Sequence, residues 1–302
     1  MRIPLNKIHI GLDSPEGDIS FVSHAHSDHT NGMKSKERII ASSETRDLAG
    51  FSSNWKLETG DWKLIDAGHI LGSRQLAIDG DGERIIYTGD ISLKPNIFGW
   101  RAQMQECDRL IMEATYGDPA YVFPPHEDIH QEIFRWVRGN DSKNIIIGCY
   151  ELGKAQEMVK ILNEAHVTPI VTEKTGSFCS IYEKYGMKLD CFVVGSVEAE
   201  EAMSRRFVAL VPMSKAKRYF ARRLSQAFER ETLCAVATGW ALHYRFNTDA
   251  AFPLSDHADF DDLVHFIEQS GAKKVEFFCG DGERVLDAVK AKNGAMAIQD
   301  CQ

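Results

Sequence analysis

The stretch from Phe21 to Thr30 concentrates side chains that bind metal ions. It contains His24, His26, Asp28 and His29 directly after a short apolar run. Imidazole and carboxylate donors are those that Zn²⁺ and Mn²⁺ select. Residues two apart share one face of an extended chain, so His24 and His26 can converge on one ion, and a turn would direct Asp28 and His29 to another. The spacing predicts two neighbouring metal sites.

Two later residues can complete these sites. His69 ends a strand-like run and lies in Asp66-Ala-Gly-His-Ile-Leu-Gly-Ser73, where small residues allow close backbone approach. Asp90 ends the apolar segment Ile85-Ile-Tyr-Thr-Gly-Asp90. A carboxylate delivered by a strand into a turn can bridge two cations. We therefore predict that His69 and Asp90 join the metal ligands.

A carboxylate and a histidine form a second chemical pair. Glu113 follows the apolar run Arg109-Leu-Ile-Met, and a buried carboxylate there needs a partner. His257 is the predicted partner, and Ser255 or Asp256 is predicted to cap a helix from Ala258 to Gln269. With one ring nitrogen bonded to Glu113, the other can donate to a phosphoryl oxygen or a leaving group.

The pattern of predicted secondary structure changes near residue 126. Short strands with turns between them are predicted before it, with a hairpin turn at residues 79–82. After it, helices and strands alternate, which predicts parallel strands in an α/β layer. A strand from Leu233 to Thr238 leads back to the earlier pattern. This organisation predicts one domain inserted within another.

Six motifs follow one another along the chain: His24-Ala-His-Ser-Asp-His29, Ala67-Gly-His-Ile-Leu-Gly72, Tyr87-Thr-Gly-Asp90, Met112-Glu-Ala-Thr-Tyr-Gly117, Leu152-Gly-Lys-Ala-Gln-Glu157 and Ser255-Asp-His-Ala-Asp259. In their order, and over most of the chain, they resemble the motifs of the β-CASP branch of the metallo-β-lactamase superfamily. The resemblance is closest to ligase-associated DNA exonucleases and to archaeal proteins described as RNA 3'-end processing factors. It implies an αββα sandwich from residues 1–121 and 238–302, with an inserted α/β cap at 122–237.

The resemblance also implies a role for each site residue. The first ion would be held by His24, His26, His69 and Asp90, and the second by Asp28, His29 and Asp90. The residues expected to serve catalysis are Asp28, Glu113 and His257. Where many members have a last histidine ligand, this chain has Asp281 in Cys279-Gly-Asp-Gly-Glu283. Carboxylates are harder ligands than imidazole, so the second site is expected to be weak, Mn²⁺-preferring or empty, with Zn²⁺ as the main metal.

A basic stretch is the predicted nucleic-acid contact. The chain carries a net charge of −9, which is unfavourable for binding phosphate backbones. Residues 202–228 nevertheless contain no acid. Phe207, Tyr219 and Phe220 interleave with its cations, and the pattern leaves open whether they are core residues or stack on bases. The cations are Arg205, Arg206, Lys215, Lys217, Arg218, Arg222 and Arg223.

Composition and motif spacing argue against several other classes of protein. Seven scattered cysteines, none spaced as C-x-x-C, predict reduced thiols and argue against a disulfide framework. No apolar segment approaches a membrane span or a secretory signal, so a cytoplasmic location is predicted. His126-Glu-Asp-Ile-His130 fits a zinc-protease pattern, but it has no obvious third ligand nearby.

The predicted function is metal-dependent hydrolysis of phosphodiester bonds in single-stranded RNA or DNA, with an exonuclease favoured by the resemblance. Partners would be the nucleic acid itself and a DNA ligase or RNA-processing proteins. Two alternatives remain: a small-molecule hydrolase acting on thioesters or lactams, and a catalytically silent scaffold subunit. A substrate panel and a metal analysis separate them.

Overall fold

Three β-sheets organise the part of the chain that the structure describes. The structure is a computed structural model that describes residues 1–5, 8–34, 38–51, 56–57, 62–80, 82–293 and 299–300. The strands are β1 (Arg2–Leu5), β2 (Ile8–Leu12), β3 (Ile19–Phe21), β4 (Arg38–Ile40), β5 (Lys56–Leu57), β6 (Trp62–Asp66), β7 (Arg74–Gly80), β8 (Glu83–Tyr87), β9 (Arg109–Ala114), β10 (Asn144–Cys149), β11 (Ile170–Val171), β12 (Phe192–Val193), β13 (Val208–Pro212), β14 (Thr232–Ala237), β15 (Ala250–Phe252), β16 (Lys274–Gly280) and β17 (Gln299–Asp300). The α-helices are α1 (Ser43–Leu48), α2 (His126–Gly139), α3 (Lys154–Glu164), α4 (Glu173–Lys184), α5 (Val197–Met203), α6 (Arg218–Ala227), α7 (Phe260–Ser270) and α8 (Gly282–Asn293).

The chain divides into two units by its internal packing. Unit 1 comprises Met1–Pro95, Trp100–Val122 and His257–Gln302, and unit 2 comprises Asn96–Gly99 and Phe123–Asp256. The chain returns to unit 1 at His257, later than the predicted 238, because β15 pairs in parallel with β14 and extends the sheet of unit 2. The predicted domain limits of 1–121, 122–237 and 238–302 stay a prediction.

Unit 1 contains two sheets that share a core. Sheet 1 has the strand order β1-β2-β3-β4-β5, and sheet 2 has the order β17-β16-β9-β8-β7-β6. Successive side chains of a β-strand point to opposite faces of its sheet, as those of β7 do. Leu76 and Ile78 pack against sheet 1 residues such as Phe21, whereas Ala77 packs on the opposite face with α7 and α8. Sheet 2 is therefore buried on both faces.

Unit 2 is built on a third sheet in which every strand pair is parallel. Its strand order is β12-β11-β13-β10-β14-β15. All residues of β10 are buried, as expected for a central strand covered on both faces. Helix α6 covers part of this sheet through Ala221, Phe220 and Leu224, which pack with Ile146 and Val236. The predicted α/β class is confirmed.

The N-terminal cap of α7 differs from the prediction. The helix begins at Phe260, and its N-cap is Asp259, whose carboxylate accepts a hydrogen bond of 2.9 Å from the Asp262 amide. The Asp262 carboxylate in turn accepts a hydrogen bond from the Asp259 amide, which completes a capping box. The prediction of Ser255 or Asp256 as the cap was wrong. The Asp259-Phe-Asp-Asp262 spacing satisfies the first-turn amides two residues after His257.

The described helices are short compared with a bilayer. The longest α-helix, α2, has 14 residues, whereas a crossing takes about 20. Within the described ranges, the helices do not combine the length and apolar character needed to cross a membrane.

Candidate metal centre

The predicted ligands lie in unit 1, in loops that follow its strands. Strand β3 ends at Phe21, so His24 and His26 lie in the loop after it rather than within the strand. His69 follows β6, and Asp90 follows β8. Sheet 1 and sheet 2 thus both contribute to one place, through segments far apart in the sequence.

Four ligand atoms converge in this place. His24, His26, His69 and Asp90 each offer one ligand atom, and these atoms all lie within 4.8 Å of one another. His26 Nδ1 lies 3.1 Å from His24 Nε2 and 3.2 Å from His69 Nε2. Asp90 Oδ2 lies 3.4 Å from His24 Nε2 and 3.7 Å from His69 Nε2. The structure brings together all four residues predicted for the first ion.

The loops reach this place because glycines permit close backbone contacts. Gly89 has φ +55°, and a Cβ there would lie 2.5 Å from the Ser23 Cβ. Gly68 has φ +75°, and a Cβ there would lie 2.4 Å from the Ala102 amide nitrogen. A side chain at either position would push Asp90 or His69 away from the other ligands. Ser73 Oγ then fixes the His69 loop by accepting a hydrogen bond of 3.1 Å from the His69 amide.

The protonation of His24 suits metal binding. Its side chain is fully buried, and burial together with neighbouring His29 and His69 lowers the pKa of His24 well below its ordinary value. A neutral imidazole with an available lone pair is the form that coordinates Zn²⁺. Three ring nitrogens and a carboxylate oxygen that lie within 4.8 Å of one another form a mixed nitrogen and oxygen donor set. A divalent cation fits this donor set.

Asp90 carries an unusual pKa. Its side chain is buried, and burial together with the nearby charge of Glu113 raises the Asp90 pKa to about 7. A cation at this position would favour the ionised carboxylate and reverse that effect.

The residues predicted for a second ion meet at His29. Its Nε2 lies 3.5 Å from Asp90 Oδ2 and 3.7 Å from Asp28 Oδ2. His29 is buried, whereas the Asp28 side chain is 78% exposed. Asp90 thus contacts both the first ligand group and His29, which is the arrangement that a bridging carboxylate requires.

Asp13 orients two of the histidines, and sequence reasoning missed it. Asp13 Oδ2 lies 2.6 Å from His29 Nδ1 and accepts hydrogen bonds from Ser23 Oγ at 2.6 Å and from the Tyr87 hydroxyl at 2.8 Å. Ser23 Oγ gives its proton to Asp13, so the His24 Nδ1–H must donate to Ser23 Oγ across 3.0 Å. Both imidazoles then direct Nε2 towards Asp90. The available signal was an aspartate directly after the strand-like run Ile8–Leu12.

The Asp13 contact also changes the charge of His29. Burial by itself lowers the His29 pKa, but the hydrogen bond to Asp13 and the charges of Asp90 and Asp28 outweigh it, raising the pKa to about 9. Tyr87 stays a donor, because burial and the Asp13 charge raise its pKa well above the ordinary value. Carboxylate partners of this kind fix tautomers and raise the basicity of ligating histidines.

The predicted pair of Glu113 and His257 is present. Glu113 is fully buried at the end of β9, and its Oε2 lies 2.9 Å from His257 Nδ1. The Ile91 amide donates to Glu113 Oε1 at 2.7 Å, and the Ile91 carbonyl accepts a hydrogen bond from the Ala258 amide. Ligand atoms of Asp90, Glu113 and His257 lie within 4.8 Å of one another. The Ile91 peptide therefore ties the pair to the loop that carries Asp90.

Asp281 is paired with an arginine. Its Oδ2 is 3.0 Å from Arg284 Nε, and the described groups that could hold an ion do not include it. Its role as a ligand stays a prediction. Cys279 Sγ lies 3.8 Å from Thr115 Oγ1. The neighbouring Phe278 packs at ring distances of 5.1 Å from Tyr87 and 6.2 Å from His29.

The other sequence candidates lie in unit 2. His126 and His130 are buried on α2, and the metal-compatible groups found among the described residues include neither. Of the predicted nucleic-acid contacts, Arg206 is half-buried and the others are exposed. These others are Arg205, Lys215, Lys217, Arg218, Arg222 and Arg223.

Comparison with known proteins supports one family. No family model matches the chain. A probable DNA ligase of Opitutus terrae is 32% identical over 278 residues, which cover 85% of this chain and 26% of the ligase. An RNase J-like protein of Methanocaldococcus jannaschii is 27% identical, covering 49% of this chain and 37% of that protein. The 5' exonuclease Apollo of Rattus norvegicus is 24% identical, covering 82% of this chain and 48% of the exonuclease.

The chain therefore spans from about a quarter to about half of the length of these relatives. A crystal structure of a protein of unknown function from Enterococcus faecalis superposes with a TM-score of 0.57 at 15% identity, covering 86% of this chain and 74% of that one. This likeness concerns the fold alone. The relatives named as RNase J-like and Apollo are β-CASP proteins, and the ordered motifs of this chain converge on one donor cluster. The chain belongs to the β-CASP branch of the metallo-β-lactamase superfamily.

Proposed function

We propose that this chain is a metal-dependent nuclease that hydrolyses phosphodiester bonds in single-stranded RNA or DNA. The convergence of His24, His26, His69 and Asp90 within 4.8 Å carries the proposal. The names of the RNase J-like and Apollo relatives support nucleic acid as the substrate.

We further propose that unit 1 is an αββα metallo-β-lactamase sandwich and that unit 2 is an inserted β-CASP domain. The two sheets of unit 1, with α7 and α8 against the outer face of sheet 2, are those expected for the αββα metallo-β-lactamase sandwich. The parallel sheet of unit 2 interrupts unit 1 in the sequence, as an inserted β-CASP domain does.

The metal would be Zn²⁺, with Mn²⁺ as the alternative. His24, His26, His69 and Asp90 would hold a first ion, and Asp28, His29 and Asp90 a second, with Asp281 as the sequence-predicted further ligand. The imidazole-rich first group favours Zn²⁺, whereas carboxylates in the second favour a harder ion. A bound ion supplies a polarised water nucleophile and neutralises charge that develops on the phosphate.

The chain's own acid–base groups complete the proposal. Glu113 holds Nδ1 of His257, so Nε2 is the ring nitrogen that donates to a phosphoryl oxygen or to the departing oxygen. Asp28, exposed beside His29, is a carboxylate that can orient the attacking water. The buried Glu113 fixes the orientation of the imidazole and stabilises its protonated form.

The biological setting is proposed from the relatives alone. The match to part of a probable DNA ligase supports action beside a ligase, and the RNase J-like relative supports RNA processing. Exonuclease action and a cytoplasmic location are proposed with them.

End-labelled substrates test the proposal. Single-stranded DNA and RNA, each with a 5'-phosphate or a 5'-hydroxyl, are incubated with the protein and Zn²⁺ or Mn²⁺. We expect stepwise shortening of one of them, which His24→Ala and Asp90→Asn abolish while the circular dichroism spectrum stays unchanged. His9→Ala is the matched control, because His9 is exposed and pairs with Asp18. Full cleavage by His24→Ala, or cleavage unaffected by a chelator, would contradict the site assignment.

A further inference from the structure

The structure separates the seven cations of residues 202–228 into two classes. Three of them have partners within unit 2. Arg206 donates to the carbonyls of Val137 at 3.0 Å and Lys143 at 3.3 Å. Arg218 donates to the Thr248 carbonyl at 2.9 Å and pairs with Asp249 at 3.1 Å, and Arg205 pairs with Glu201 at 3.3 Å. These contacts give the three arginines structural roles.

The other four cations have no acidic partner among the described residues. They are exposed, and two of them lie on the outward face of α6. That helix buries Ala221 and packs Phe220 and Leu224 into the core of unit 2. Positions 219, 222, 223 and 226 then recur at three- and four-residue spacing on the opposite face. The four cations are Lys215, Lys217, Arg222 and Arg223.

An exposed aromatic ring lies on the same face. Tyr219 is 72% exposed, whereas Phe207 is buried and Phe220 packs into the core. The sequence left the roles of these three rings open, and only Tyr219 is available to a ligand. Arg222 and Arg223 follow it by three and four residues, so the ring and the two guanidinium groups are neighbours on the helix surface.

The start of α6 adds to the positive potential. Lys217 occupies the N-cap position without a side-chain cap hydrogen bond, and the first turn contains no acid. A helix N-terminus carries a partial positive charge that normally attracts Asp or Glu. Cations there are unfavourable in the isolated helix and favourable when an anion binds nearby.

We propose that the outward face of α6 and the turn before it bind single-stranded nucleic acid, with Lys215, Lys217, Arg222 and Arg223 on the phosphates and Tyr219 stacked on a base. The inference rests on the proposed nuclease function for the identity of its ligand. Stacking on Tyr219 requires an unpaired base whose flat face is accessible, which a duplex does not offer. The surface therefore selects a single strand, and it contributes affinity rather than chemistry.

Binding in the presence of a chelator tests this surface separately from cleavage. Fluorescence anisotropy of a labelled oligothymidylate of roughly 15 nucleotides, within the span of single-strand-binding modules, gives the Kd of the full chain. We expect Tyr219→Ala to weaken binding by about tenfold, and Tyr219→Phe to restore it, because the stacking surface is kept. Arg222→Ala with Arg223→Ala should reduce the slope of log Kd against log salt by about 1.4, as two phosphate contacts are lost. Arg222→Lys with Arg223→Lys should keep that slope.

Lys188→Ala is the matched control, since Lys188 of unit 2 is exposed but paired with Asp190 and lies outside the basic stretch. Its Kd should equal that of the wild type. Wild-type affinity in both Tyr219→Ala and the double alanine variant would overturn the inference, as would equal binding of a duplex of the same length. Tight binding without cleavage in Zn²⁺ or Mn²⁺ would contradict the proposed nuclease function and leave this surface standing.

Discussion

His29 Nδ1 lies 2.6 Å from Asp13 Oδ2, and this contact joins the end of β2 to the predicted metal ligands. The same oxygen accepts a hydrogen bond from the Ser23 hydroxyl, and the Ser23 oxygen in turn accepts a hydrogen bond from His24 Nδ1. The buried carboxylate of Asp13 thus determines which ring nitrogen carries the proton in His29 and in His24. Asp13 lies outside the sequence motif that contains these two histidines.

The first prediction concerns Asp13→Asn. Removing the charge weakens the bond to His29 and disturbs the orientation of His24, so Zn²⁺ affinity should fall by about 10- to 100-fold. Competition with a chromophoric chelator measures the affinity. Asp18→Asn, which changes an exposed aspartate paired with His9, should leave it unchanged. Equal affinities for wild type and Asp13→Asn would show that Asp13 does not support the ligands.

The second prediction concerns the pH dependence of metal binding. In the metal-free protein the Asp90 pKa is about 7 and the His29 pKa is about 9, and both groups must lose a proton to coordinate. Zn²⁺ affinity should therefore rise as the pH increases from about 6 to about 9. Calorimetry in buffers of different ionisation enthalpy measures the protons released. Asp13→Asn should remove the step near 9, and a pH-independent affinity would contradict both assignments.

The third prediction concerns the stability of the metal-free protein. The His29 pKa is raised above its ordinary 6.5, so its contribution is present below pH 6.5 and is lost as the pH rises through about 9. The free energy of unfolding in chelator should fall by up to about 3 kcal/mol over this range. Denaturant titrations at several pH values measure it. Asp13→Asn should flatten the dependence, and a steeper fall in that variant would refute the explanation.

The fourth prediction separates chemistry from metal binding. His257→Ala should lower kcat by about 10²- to 10⁴-fold, the usual contribution of a general acid, while the metal content stays unchanged. Glu113→Gln should act in the same direction through the orientation of His257. His265→Ala changes an exposed histidine on α7 and serves as the control. Loss of metal in His257→Ala would make it a ligand rather than a proton donor.

The fifth prediction concerns Asp281. Its carboxylate is paired with Arg284 at 3.0 Å, so we expect Asp281→Asn to keep the metal stoichiometry of the wild type. Elemental analysis after dialysis against Zn²⁺ or Mn²⁺ measures it. A stoichiometry reduced by one ion would instead support the ligand role that the sequence predicts.

The candidate metal ligands and the family resemblance could be recognised from the sequence alone. The family resemblance assigned His24, His26, His69 and Asp90 to one ion, and their ligand atoms lie within 4.8 Å of one another, because strand ends of a layered α/β fold deliver their loops to one edge. The Glu113 and His257 pair followed from the need of a buried carboxylate for a partner.

Tertiary structure alone decided which side chains are buried and which partners they meet. Asp13 contacts His29, 16 residues away, because β2 and β3 pair in parallel and end side by side, a register that no local pattern encodes. Asp259 caps α7 in place of Ser255 or Asp256, since capping depends on where the backbone becomes helical. The packing of unit 2 places the Arg206 guanidinium against the Val137 carbonyl and leaves the Tyr219 ring exposed. The sequence by itself determined which potential metal-binding side chains are present and in what order. Only the packing of distant segments determined where these side chains point, because burial and hydrogen bonding are properties of the folded chain.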